Sequence, residues 1–323
     1  MFAGILAGIT WAIETIVLGI ALAMNPLCST AQALILAPLA ATFLHDLFSA
    51  IWACIWNGVR GKLPAVGRAL KTKSGWFVAL AAVIGGPVGM TGYVLTIANM
   101  GASIGAVASA IFPAIGAVLA YFFLKEKMSW YRWIFLLLTI AGVYGLSYSP
   151  ELNITNFWLG LLGTAMCAFG WGIEAVIIAK CVKDDAITDE IALQIRQTTS
   201  AVVYGAVILP ILGNWGFGWN FIASLFQGTG WLLPIIACAA LFATVSYLFY
   251  YRAISEIGAS KSMALNITYA AWAIIFSVII LLVKGEDPSG LLNWITILCT
   301  VVVLVFGVLA GADYKDLFKK KTE

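Results

Sequence analysis

Ten apolar runs of about twenty residues divide this 323-residue chain almost end to end. They fall at about 2–23, 30–57, 75–98, 101–123, 129–147, 156–179, 189–212, 231–254, 260–283 and 290–311. A helix needs about twenty residues to cross roughly 30 Å of hydrocarbon. Backbone groups in lipid must pair within their own segment, and the runs lack the alternation of strands, so each run predicts a membrane helix. Only 10% of the residues are charged and mean hydropathy is +0.99, whereas soluble domains carry about 25% charged residues. A surface so poor in charge cannot face water over most of its area, so the net charge of +3 is no nucleic-acid signal. The first run lacks a basic leader and is long enough to span, which argues against a cleaved signal peptide.

The basic residues set an orientation. Sixteen of the eighteen lie in the connections after spans two, four, six and eight and in the tail. Lys284 alone lies in the other set of connections, and Arg196 falls inside the seventh span. This bias places both termini in the cytoplasm and supports an even number of spans.

The chain also repeats itself. Trp11-Ala-Ile-Glu14 returns as Trp171-Gly-Ile-Glu174, and Gly101-Ala-Ser103 returns as Gly258-Ala-Ser260. At the second offset Tyr93 meets Tyr250, Phe112 meets Tyr269 and Lys127 meets Lys284. With five spans in each half, the second half starts on the opposite face of the membrane. The expectation is an all-α integral membrane protein of ten helices in two inverted repeats, residues 1–150 and 151–312, with a basic cytoplasmic tail at 313–323. Such repeats carry their sites near the midplane, between the halves.

Glu14 and Glu174 lie well inside apolar spans, where a carboxylate costs several kcal/mol and normally serves function at the bundle interior. Their partner as bland structural groups is a Ser, Thr or Trp donor. Trp11 stands three residues before Glu14 and Trp171 three before Glu174, so each pair shares a helix face. Tyr247, Tyr250 and Tyr251 gather on one face of span eight, and Asn266, Tyr269 and Trp272 form a stripe on span nine. Aromatic packing and interfacial belts offer a plain explanation, but belts sit at helix ends and several of these rings lie deeper. Ring faces attract cations, and a quaternary ammonium has no N–H for hydrogen bonding, so rings plus a carboxylate suit it.

His45-Asp46 in span two is a candidate proton relay, with only one of the two neighbours expected to face a cavity. Arg196 either snorkels or pairs with a carboxylate. Gly85-Gly-Pro-Val-Gly89 should break or kink span three and open backbone to a cavity. Six scattered cysteines and one histidine suggest no metal site or disulfide. No nucleophile elbow, metal cluster or phosphate-binding motif marks an enzyme. No cofactor is expected.

The chain resembles the drug/metabolite transporter superfamily, ten-helix EamA-like carriers, and within it the LicB-type bacterial choline permeases. The segments that carry this likeness are Gly86-Pro-Val-Gly-Met90, Ser109 to Ala114 with Phe122-Phe-Leu-Lys125, Trp171 to Glu174, Ile195-Arg-Gln197, Ser246 to Tyr251, and Asn266 to Trp272. His45-Asp46 fits the pattern as well, whereas Glu14 departs from it. The resemblance implies a bacterial inner-membrane symporter importing choline or a similar quaternary ammonium with protons. Trp11, Trp171, Glu174 and the aromatic residues of spans eight and nine would lie near the cation, with Glu14 added here. Glu174, Glu14, His45 and Asp46 are the candidates for proton coupling. An exporter of amino acids or drugs is the alternative within the superfamily.

Overall fold

The computed structural model describes residues 1–28, 31–148, 154–212, 215–227 and 230–312. The tail at 313–323 lies outside the described residues, as does the segment 149–153 between the expected repeats. Among the described residues there is no strand.

Among the described residues, nine helices are long and apolar enough to cross a membrane. In chain order with the one remaining long helix they are α1 (Phe2–Leu22), α2 (Ala31–Val59), α3 (Lys73–Met100), α4 (Ala102–Leu124), α5 (Trp130–Ser147), α6 (Phe157–Cys181), α7 (189–212), α8 (Leu232–Ile257), α9 (Ala259–Lys284) and α10 (Trp294–Gly311). Short helices at Leu63–Ala69 and Trp215–Gln227 connect them. The expected seventh span is helical, with a polar first half. It opens on Asp189 and Glu190 and carries Gln194, Arg196, Gln197 and Ser200 on its buried side.

Local chemistry sets the ends. Side-chain oxygens of Thr72, Asn156, Thr188 and Asn293 accept hydrogen bonds from backbone N–H groups in the first turns of α3, α6, α7 and α10. These caps satisfy donors that no helix can satisfy internally. α9 is capped from a distance: Glu126, between α4 and α5, accepts from the backbone N–H groups of Ala259 and Ser260, each at 3.0 Å. The sharp entries into α4 and α9 are alike. Gly101 (φ 88°, ψ 165°) and Gly258 (φ 86°, ψ 166°) hold conformations that only glycine adopts at low cost. The expected break at Gly85–Gly89 is a π-helical turn over Ile84–Val88, through which α3 continues rather than stopping.

α1 packs on α8 and α9, α6 on α3 and α4, α2 on α7, and α5 on α10. Small residues carry the closest crossings: a Cβ on Gly163 of α6 would lie 2.5 Å from the Gly92 carbonyl oxygen of α3. Lipid gives no hydrophobic drive between helices, so close backbone approach supplies the van der Waals attraction instead. Large apolar side chains such as Phe123, Val283 and Val301 point outward and are exposed. This is the inverse of a soluble bundle, and it positions the buried polar side chains at the centre.

Candidate functional site

A cavity of about 120 Å³ lies where α1, α2, α3, α4, α6, α7, α8 and α9 converge. Glu14 and Trp11 line it from α1, and Glu174 and Trp171 line it from α6. Three residues is close to one helical turn, so each ring stands beside its carboxylate on the cavity face. Both glutamates are buried, Glu14 at 3% and Glu174 at 6% exposure.

Five charged or titratable side chains form a chain of contacts from α1 to α6. Glu14 Oε1 lies 3.3 Å from His45 Nε2, and His45 Nδ1 lies 3.0 Å from Asp46 Oδ1. The first contact is close enough for an ion pair, yet it is off the line of a hydrogen bond, and Nε2 has no such partner. Arg196 Nη1 lies 3.4 Å from Asp46 Oδ2, and Arg196 Nε donates to Glu174 Oε1 at 2.9 Å. Asp46 also accepts from the Ser200 hydroxyl at 2.5 Å. The guanidinium further donates to the Gln197 side-chain oxygen at 2.7 Å and lies 4.6 Å from the Tyr247 ring centre. Buried charges persist only when paired in this way.

Glu174 is the more fixed carboxylate. Its Oε1 accepts from both Arg196 and the Tyr251 hydroxyl, the latter at 3.1 Å. Its Oε2 rests against Gly85, where a Cβ would lie only 1.7 Å away. Glu14 is looser, since apart from His45 its polar contact is the Thr15 hydroxyl at 3.3 Å.

The aromatic wall is built around these acids. Trp171 donates its indole N–H to the Gly85 carbonyl at 2.9 Å, a group offered by the π-helical turn. Phe112 meets Trp171 edge to face with centroids 5.8 Å apart. Trp11 meets Tyr247 at 5.2 Å with perpendicular planes. Tyr250, Asn266 and Tyr269 complete the lining that the sequence anticipated.

Three expectations change. His45 and Asp46 both line the cavity, although neighbours on a helix were expected to diverge. Each meets a partner from another helix at the cavity, His45 the Glu14 carboxylate of α1 and Asp46 the Arg196 guanidinium of α7. Tyr251 does not line the cavity: it is 1% exposed and acts from behind, as a donor to Glu174. Trp272 does not line it either. It stacks on Phe276 with centroids 6.2 Å apart, one turn farther along α9. Sequence reasoning also passed over Ser109, Phe112, Met90 and Thr42, which line the cavity. Phe112 carried a signal in its repeat match to Tyr269, and Arg196 carried one as a basic residue about two turns inside a span.

This geometry defines a class: a polytopic membrane protein with a buried, acid-rich and aromatic-lined polar centre. Comparisons with known proteins agree. Residues 1–148 match the EamA-like transporter family. Protein LicB of Haemophilus influenzae is 31% identical over 199 residues, covering 62% of this chain. The matched region spans 65% of the length of LicB. These two similarities bear out the resemblance read from the sequence. A solved crystal structure shares the fold over 96% of this chain and 95% of its own, with a TM-score of 0.62 at 16% identity.

Proposed function

We propose that this protein is a secondary transporter that imports choline or a similar quaternary ammonium compound, coupled to protons. The observation that carries the reading is the central cavity, in which Trp11, Trp171, Tyr250 and Tyr269 surround a polar centre with three carboxylates and one permanent cation. Ring faces and a carboxylate hold an ammonium that offers no N–H, whereas an anionic substrate meets repulsion there.

Transport in this reading is a rocking of residues 1–150 against 151–312 around the central site. The helix pairings support it, because each has a counterpart five helices on: α1 with α8 answers α6 with α3, and α1 with α9 answers α6 with α4. The matching torsions of Gly101 and Gly258 support it too. The cavity residues come from both halves, so relative motion of the halves changes access to it.

The test is uptake of labelled choline into proteoliposomes, with betaine, carnitine and neutral amino acids as competitors. Choline uptake that quaternary ammonium compounds inhibit, and that neutral amino acids leave unchanged, is the expected result. Stronger competition by neutral amino acids would move the reading to the amino-acid exporters of the same superfamily.

A further inference from the structure

The central chain of charges alternates in sign, and its ends are not equivalent. Read from α6 to α1 it runs Glu174, Arg196, Asp46, His45, Glu14. Both terminal carboxylates line the cavity, but Glu174 already accepts from Arg196 and Tyr251 and rests against the backbone at Gly85. Glu14, beside Trp11 on the cavity wall, is the end with fewer donors, having only the Thr15 hydroxyl and the His45 ring near it among the described residues. With His45 neutral, the lining has three negative charges against the single positive charge of Arg196. A proton on His45 extends the alternation to Glu14 and leaves one negative charge over. A monovalent cation against Glu14 completes it.

We infer that Glu14 is the counter-ion of the transported cation and that His45 carries one co-transported proton, giving one proton per cation. The inference rests on the ammonium-carrier reading above and adds the count and the residues. His45 is 6% exposed and lines the cavity between two carboxylates, its Nδ1 on Asp46 and its Nε2 facing Glu14 at 3.3 Å without hydrogen-bond geometry. The ionisable groups in contact with it are Glu14 from α1 and Asp46 on its own helix; Arg196 of α7 connects through Asp46, and Glu174 of α6 and the Tyr247 ring of α8 connect through Arg196. None of these supplies a second permanent positive charge. Closing such a site away from water costs least when its charges cancel. Closure therefore requires both positive charges on board, and that requirement is the coupling. Glu174, with its partners already in place, acts as a positioning residue for Arg196.

The test is equilibrium accumulation in proteoliposomes with the membrane potential clamped at zero. For one unit of pH difference, acid outside, one proton per cation accumulates choline about tenfold, no proton gives no accumulation, and two protons give about a hundredfold. About tenfold is expected of the wild-type protein, and either other value overturns the count. The His45→Lys variant supplies the positive charge permanently, so it is expected to carry choline with no accumulation under the same gradient. The His45→Gln variant leaves the lining short of one positive charge, and an uncompensated buried charge is expected to slow choline exchange by about tenfold or more. Gradient-driven accumulation by either variant, or a folded but inert H45K, overturns the assignment to His45. Absence of any ammonium flux through the wild type sinks the carrier reading itself, which separates that failure from a wrong count.

Discussion

Arg196 holds two buried carboxylates from two other helices, so removing its charge has a calculable cost. Substitution by methionine keeps much of the side-chain length and removes the contacts to Glu174 at 2.9 Å and Asp46 at 3.4 Å, together with the ring contact to Tyr247. Breaking a buried pair by deleting one partner costs about 3–5 kcal/mol, because the other charge is left uncompensated. Arg196→Met leaves two such charges, yet Asp46 keeps the Ser200 hydroxyl and His45, and Glu174 keeps the Tyr251 hydroxyl. We therefore expect a loss of about 3–5 kcal/mol, the lower multiple of that range. Unfolding in a denaturing detergent, followed by circular dichroism, measures it. Adding Glu174→Gln to Arg196→Met removes one stranded charge, and the pair of sites should show a coupling of about 1–3 kcal/mol in a double-mutant cycle. An Arg196→Met protein as stable as wild type, or strictly additive effects at the two positions, would refute the reasoning that these charges depend on one another.

Gly85→Ala places a methyl where Glu174 Oε2 now lies, 1.7 Å from the ideal Cβ, so the carboxylate must withdraw. Overpacking of this kind costs about 1–3 kcal/mol, and choline affinity should fall with it, read by uptake kinetics. Glu126→Ala uncaps α9 and should cost about 1–2 kcal/mol in the same detergent unfolding while leaving substrate preference unchanged. Trp11→Leu removes a ring from beside Glu14 and should weaken choline by about 1–2 kcal/mol, measured by competition, with Trp11→Phe in between.

The membrane fold was legible because hydrocarbon imposes its length and polarity on every span. α7 shows the limit of that rule. Its first half is polar because Arg196, Gln197 and Ser200 are spent on the buried polar centre, not on lipid. The pairing of each tryptophan with its glutamate was legible from a spacing of three, since helix geometry alone puts such residues on one face. What that spacing could not decide is which carboxylate is free. Arg196 lies 22 residues from Glu174 and 150 from Asp46 in the chain, and local periodicity says nothing about contacts so distant. Trp272 fails for a related reason. It shares a stripe with Asn266 and Tyr269, but its ring stacks on Phe276 farther along α9 and is not part of the cavity lining.

A structure of the protein saturated with choline would test the account most directly. The trimethylammonium group is expected in the central cavity, against the Glu14 carboxylate and within about 6 Å of the Trp11 ring centre. Choline bound outside that cavity, or held by Glu174 with Arg196 displaced while Glu14 stays on His45, would contradict it.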